Sequence, residues 1–310
     1  MPFFSARDVA AAVPPEVAYT AVRDAFVAHT RGEWTMQPKL YVTNYPAGDF
    51  RAMPALGAGH ALLKWVTSFP GNPALGLPTV TGLVVLSNAD TGMVEAILDA
   101  GSVTALRTGA AAVIAADVLG RPDAKTAAVI GAGVNGKAAA QTFVSRGRSV
   151  SIWDRDRARA AAVAAELGAE VAAGHEEALA ADLLVTVTPG REILLRESSL
   201  SSGQHVSLMG ADGPGKAEIA IAEIARAHVF CDEWEQASHG GELAAAVAAG
   251  AIDREDVTQL GAVLLGEAPG RRARDDITLF DSTGLAIQDL AIAIAASARA
   301  DELDLVRIDL

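Results

Sequence analysis

Thr126-Ala-Ala-Val-Ile-Gly-Ala-Gly-Val-Asn-Gly-Lys137, running on to Ser149-Val-Ser-Ile-Trp-Asp154, decides the fold of this 310-residue chain. Thr126–Ile130 is a short apolar run with β-branched residues, suited to a buried parallel strand. Gly131, Gly133 and Gly136 follow at G-x-G-x-x-G spacing, and Val134–Ser145 reads as a helix. A second strand, Ser149–Trp153, ends at Asp154, about 18 residues past the last glycine, where a dinucleotide fingerprint expects an acid. Gly131 permits the tight turn, Gly133 lets the backbone approach a pyrophosphate, and Gly136 lets helix and strand pack closely. Gly131, Ala132, Gly133, Val134, Asn135 and Gly136 thus form a candidate phosphate cradle. The helix start offers N–H groups and a partial positive charge. Asp154 is placed to accept hydrogen bonds from the adenosine ribose.

Strands and helices alternate on either side of this unit. After Asp154 comes an Ala-rich helix to about Leu167. Asp182–Val187, His205–Leu208, His228–Cys231 and Ile277–Phe280 read as strands, and Gly284–Ala300 as a helix leading out. This βα alternation predicts a Rossmann-type, doubly wound parallel sheet. Ligands of such sheets sit beyond the carboxyl ends of the strands, so Thr186, Thr188 and Gly210 are expected at the cofactor cleft.

Upstream the period changes. A helix over 14–31 is followed by strand patterns at Lys39–Tyr45, Phe50–Ala55, Ala61–Thr67, Thr79–Leu86 and Met93–Leu98, joined by short turns. That order predicts an antiparallel sheet in an α+β domain. Ser102–Leu119 reads as a connecting helix and Arg121-Pro-Asp123 as the linker. The expected division is a first domain over 1–120 and a cofactor domain over 121–283.

Composition narrows the class. A 51% hydrophobic content supports two sizeable cores, and a net charge of −13 argues against nucleic acid or an anionic membrane as partner. No uninterrupted apolar run suggests a transmembrane helix, and Met1–Asp8 lacks a signal-peptide pattern. The single cysteine, Cys231, excludes an internal disulfide and fits a reducing cytoplasm. Six scattered histidines without ligand spacing give no metal signature. A cofactor must therefore carry the chemistry, and the protein must bind charge and move a proton.

Arg51, Lys64 and Arg107 stand in apolar settings. Each reads either as a side chain facing water or as part of a carboxylate clamp. Asp212, in a Gly-rich loop past a strand, reads as an acid/base group or as a helix cap before Glu218–Ala225. Asp276 and Asp281 are weaker candidates that flank the last strand.

Several segments together resemble the ornithine cyclodeaminase/mu-crystallin family, and within it the archaeal-type alanine dehydrogenases. They are Arg51-Ala-Met-Pro-Ala55, Leu63-Lys-Trp-Val66, Pro70-Gly-Asn-Pro73, Leu106-Arg-Thr-Gly-Ala110, Gly210-Ala-Asp-Gly-Pro-Gly-Lys216, His239-Gly-Gly-Glu242 and Phe280-Asp-Ser-Thr-Gly-Leu-Ala-Ile-Gln-Asp289. The resemblance implies a homodimer in which 1–120 is the substrate-binding and dimerisation domain, the helical stretch 284–310 returns to it, Arg51, Lys64 and Arg107 hold a substrate carboxylate and Asp212 is the catalytic Asp. Lys64 is a second catalytic candidate, and Thr108 would reach the cofactor phosphates. It implies NAD, since Asp154 repels a 2′-phosphate, while Arg155 and Arg157 leave NADP open. Where relatives commonly read Lys-x-Val-Asn-x-His-Pro, this chain has Thr67 and Phe69, which predicts a less polar pocket wall. The reaction implied is oxidative deamination of a small L-amino acid, alanine first. Ornithine cyclodeamination, cyclic-imine reduction and non-catalytic binding stand as alternatives.

Overall fold

The computed structural model describes residues 1–213 and 215–309. Pro214, inside the expected Gly210–Lys216 loop, and Leu310 lie outside the described residues. The chain forms two compact units, one comprising Met1–Arg107 with Leu285–Leu310 and the other Thr108–Gly284. The division falls inside the helix Ala100–Leu119, not at Arg121-Pro-Asp123. That tripeptide is fixed within the second unit, where Arg121 pairs with Asp182 and Asp123 with Arg274. The carboxyl half of the helix is bonded there as well. Ser207 Oγ donates to the Ala112 carbonyl at 2.8 Å and Thr278 Oγ1 to the Leu119 carbonyl at 2.9 Å. By length and composition alone this helix could cross a membrane. However, 67% of its apolar window is buried inside the protein, as in a core helix.

The first unit is built on one sheet of β1 (Pro2–Phe4), β2 (Thr35–Met36), β3 (Leu40–Asn44), β4 (Gly48–Gly57), β5 (His60–Ser68), β6 (Val80–Asn88) and β7 (Val94–Asp99), with Val306–Arg307 at its edge. Strands β3 to β7 pair antiparallel as expected. The sheet as a whole is mixed, because β1 joins β7 in parallel. A strand of three residues is too short to show a period, which is why it was not foreseen. Successive side chains on a strand face opposite ways. Asp49, Arg51 and Met53 of β4, Leu62, Lys64 and Val66 of β5, and Val84 and Leu86 of β6 form a buried inner face. The helix Ala286–Ser297 packs over β4 and β5, and the helix Pro15–Thr30 packs on that helix in turn. Covered from more than one side, Ala286–Ser297 is apolar nearly all round, as a buried helix must be. The opposite, outer face leaves Leu56, Leu63, Trp65 and Leu83 exposed.

The second unit is a wholly parallel sheet of β8 (Thr126–Ile130), β9 (Ser149–Trp153), β10 (Glu170–Val171), β11 (Leu183–Thr186), β12 (His205–Leu208), β13 (His228–Cys231), β14 (Val257–Gln259) and β15 (Thr278–Asp281). The order is β10-β9-β8-β11-β12-β15-β13-β14. The chain runs outward from β8 to β10 and then returns to β11, so β8 and β11 flank the switch point where such sheets take their ligands. β15 lies between β12 and β13 and includes Asp281, which is therefore within the last parallel strand rather than beyond it.

Candidate active site

The turn after β8 shows why its glycines are there. Gly131 has φ +108°, and a β-carbon on it would meet the Val187 carbonyl oxygen at 2.8 Å. A β-carbon on Gly136 would overlap the Gly131 carbonyl oxygen. Nothing lies within 4 Å of a β-carbon on Gly133. Internal packing thus requires the first and last glycines, whereas the middle one leaves the backbone open to a ligand. Gly133 caps the helix Val134–Ser145 without any side-chain acceptor, and Val134 is exposed beside it. These features fit a dinucleotide pyrophosphate at Gly131–Gly136.

Asp154, at the end of β9, accepts from the Ala132 N–H at 2.7 Å and the Asp156 N–H at 2.8 Å. It therefore braces the glycine turn in addition to whatever it offers a ribose. Of the arginines that leave NADP open, Arg155 reaches Glu192 at 2.8 Å and Arg157 the Ala173 carbonyl at 3.0 Å. Thr108 is buried in the helix Ala100–Leu119. Its neighbour Gly109 packs so close that a β-carbon would lie 2.6 Å from the Ala138 carbonyl carbon, setting Thr108 beside the early turns of helix Val134–Ser145.

One residue that sequence reasoning missed gathers the next loops. Glu218 is fully buried and accepts from Thr186 Oγ1 at 2.7 Å, from Thr188 Oγ1 at 2.5 Å and from the Thr188 N–H at 2.8 Å. The Gly210 N–H also bonds to it. Thr186, Thr188 and Gly210 thus converge on one carboxylate. The Glu218 N–H in turn donates to both oxygens of Glu242, at 3.0 and 2.8 Å. Burial raises the Glu218 carboxyl above its ordinary range, and burial with the Glu218 charge pushes Glu242 up to about 8. Asp281 is also raised well above the usual carboxylate range, by burial first and then by the nearby Glu242 and Asp232. Its position identifies it as a core acid bonded to the Leu243 N–H at 3.1 Å. Asp276 accepts the N–H groups of Arg272 and Ala273, at 3.0 and 2.7 Å, and closes a turn. Asp212 forms an ion pair with Lys216. It is not a helix cap, because the helix that follows is Ile221–Ala225 with Ala220 before it.

The first unit holds the cations. Arg51 and Lys64 do not face water; both lie on the inner face of the sheet, with Lys64 only 1% exposed. Strand parity explains this, since Lys64 sits opposite Met53 and Val84 on neighbouring strands and so shares their buried side. Each cation has an acid that sequence reasoning missed. Asp49 accepts from Arg51 Nε at 2.6 Å and from its Nη2 at 3.3 Å. Asp289, fully buried on helix Ala286–Ser297, accepts from Lys64 Nζ at 2.7 Å. Arg107 Nε stands 3.7 Å from the same Asp289 oxygen, and Arg107 Nη1 donates to Gln288 Oε1 at 3.5 Å. The Arg51 guanidinium also lies over the Tyr41 ring, 5.3 Å from its centre. Burial lowers the Lys64 ammonium to about 8; Asp289 resists that shift, and Arg107 and Arg51 reinforce it. An acid inside the apolar run Leu285–Ala293 was the available signal for Asp289.

The expected less polar pocket wall at Thr67 and Phe69 needs correction. Thr67 is an odd number of residues from Lys64 and therefore faces the outer side, where its hydroxyl donates to the Thr81 carbonyl at 3.3 Å. Phe69 packs edge-on against Phe50 at 5.4 Å, and Phe50 stacks on exposed Trp65 at 5.7 Å. Neither residue shares the face of Arg51 and Lys64.

The dinucleotide-type turn of the second unit is the feature of a nucleotide-dependent enzyme. More narrowly, the model of the ornithine cyclodeaminase/mu-crystallin family matches residues 3–302, and the chain belongs to that family. It is 39% identical to an alanine dehydrogenase of Archaeoglobus fulgidus over 294 residues, covering 93% of this chain and 91% of the relative. Among solved structures it resembles an archaeal alanine dehydrogenase dimer with bound NAD, with TM-score 0.92, 38% identity and coverage of 97% and 96%. It also resembles the Thermococcus litoralis Δ1-pyrroline-2-carboxylate reductase in complex with NADH and L-proline, with TM-score 0.93, 25% identity and coverage of 99% and 100%.

Proposed function

We propose that this protein is an NAD-dependent oxidoreductase of small L-amino acids, converting L-alanine, NAD and water reversibly to pyruvate, ammonia and NADH. The observation that carries this reading is the inner face of the first unit. Two buried cations, Arg51 and Lys64, and the partly buried Arg107 stand against two carboxylates, Asp49 and Asp289, and the surplus positive charge suits one substrate carboxylate.

Gly131–Gly136, Asp154, Thr108, Thr186, Thr188 and Gly210 would hold the cofactor. The NAD-bound alanine dehydrogenase structure supports NAD, as does the engagement of Arg155 and Arg157 elsewhere. Bound there, NAD supplies the acceptor and donor of the α-hydrogen. This chain's residues do the rest. Arg51 and Arg107 fix the substrate carboxylate by charge-assisted bonds. Lys64, titrating near neutrality, polarises the carbon–nitrogen centre and carries a proton. Asp212 takes a proton from the water that adds to the substrate imine carbon, the carbon–nitrogen bond then breaks, and ammonia leaves.

Dimerisation through the outer face of the first sheet completes the proposal. Leu83 and Trp65 lie directly opposite each other there, and both are exposed.

Reduction of a cyclic imine is the second reading, favoured by the likeness to the L-proline complex. A cyclodeaminase needs an acid for the distal amine of its substrate, whereas Asp49 and Asp289 are each committed to a cation. Absorbance at 340 nm with NAD and a panel of L-amino acids tests the proposal. Growth with L-alanine is expected. Silence with every amino acid, and no NADH oxidation with pyruvate and ammonia or with Δ1-pyrroline-2-carboxylate, would end it. Ammonia and proline from ornithine without growth at 340 nm would identify the lyase instead.

A further inference from the structure

The C-terminal helix does more than cover the sheet. Asp289 is the acid that meets Lys64, and both side chains are removed from water. The same Asp289 oxygen faces Arg107 at 3.7 Å. Its other oxygen, Oδ2, is buried with no hydrogen-bond partner among the described residues, as are Arg107 Nε and Gln288 Nε2. A buried carboxylate with one unmatched oxygen is costly unless it serves the cations beside it. An apolar residue at 289 would fill the helix face without that cost, but it would leave Lys64 packed among cations alone.

We infer that Asp289 is a positioning residue that aims the Lys64 ammonium on the inner face and keeps it charged, dividing its influence between Lys64 and Arg107. The charged groups around Lys64 are Asp289 on the covering helix, Arg107 on the helix Ala100–Leu119, and Arg51 with its partner Asp49 on the neighbouring strand. Burial and the two arginines drive the ammonium toward neutrality, and Asp289 opposes them. Removing its charge therefore discharges Lys64 at working pH. Removing Arg107 frees Asp289 to hold Lys64 more firmly.

The inference rests on Lys64 being part of the substrate site, but its test does not need turnover. The chain has five lysines, Lys39, Lys64, Lys125, Lys137 and Lys216, so a protein carrying 13Cε-lysine gives few signals. The one lost in Lys64→Met belongs to Lys64. Its titration midpoint is expected at about 8 in the wild type. In Asp289→Asn it should fall by about one pH unit or more, a tenfold or greater loss of proton affinity. In Arg107→Gln it should rise. The alkaline limb of kcat/KM for pyruvate, at saturating NADH and ammonia, should move in the same directions. An unchanged midpoint in Asp289→Asn would overturn the inference. If that variant does not fold, Arg107→Gln decides alone, and a midpoint that stays or falls overturns it. Midpoints that move as stated while Lys64→Met retains full turnover would uphold the pairing and refute the proposed function.

Discussion

Both units bury carboxylates, but they neutralise them in different ways. In the first, Asp49 and Asp289 are matched by Arg51, Lys64 and Arg107, leaving a positive surplus. In the second, Glu218, Glu242 and Asp281 are buried with backbone N–H groups and hydroxyls as their bonding partners, and burial raises all three. A cation beside a buried carboxylate offsets the cost of its charge, whereas burial without one favours the protonated form. The first arrangement is suited to drawing in an anion. The second is suited to tying together the loops beyond β11 and β12, which bear Thr186, Thr188 and Gly210.

This contrast can be broken most severely at Lys64. Lys64→Met leaves Asp289 buried opposite an apolar side chain, and turnover should fall by about 10³-fold or more, read as kcat/KM at 340 nm. Asp212→Asn should keep NAD affinity and lose about 10²-fold in kcat, measured alongside cofactor titrations. Near-normal turnover would remove its proton-transfer role. Asp154→Ala removes the acceptor of two backbone N–H groups as well as a ribose partner, so NAD affinity should drop by roughly 10- to 100-fold.

The smallest effect concerns the acids of the second unit. Glu242 binds its proton more tightly when folded, with a midpoint of about 8 against 4.5 for the free side chain. Between those values the folded chain holds the extra proton, so stability falls as pH rises through that window. Glu242→Gln should flatten that slope, seen as a Tm difference of a few degrees between pH 5 and 8. An unchanged slope would mean that Glu242 is not the proton carrier.

The parallel sheet was legible because its main strands are short runs rich in apolar residues; β8, β9, β12 and β13 have the boundaries read from sequence. The very short strands β1, β2 and β10 were not, since two or three residues show no period. At the site, single residue types in unusual settings pointed to Arg51, Lys64, Arg107 and Asp212. Their partners stayed hidden for a geometric reason. Lys64 and Asp289 are 225 residues apart, and no local pattern links a strand lysine to an acid on a helix that returns from the far end of the chain. Thr67 and Phe69 misled because they were read by proximity along the chain, whereas a strand separates neighbours onto opposite faces.

The most direct test of the division of labour is a titration of NAD into Lys64→Met and Asp154→Ala side by side, followed by tryptophan fluorescence. The account predicts wild-type affinity in Lys64→Met despite its lost turnover, and weakened affinity in Asp154→Ala. Equal loss of NAD binding in both variants, or none in Asp154→Ala, would contradict it.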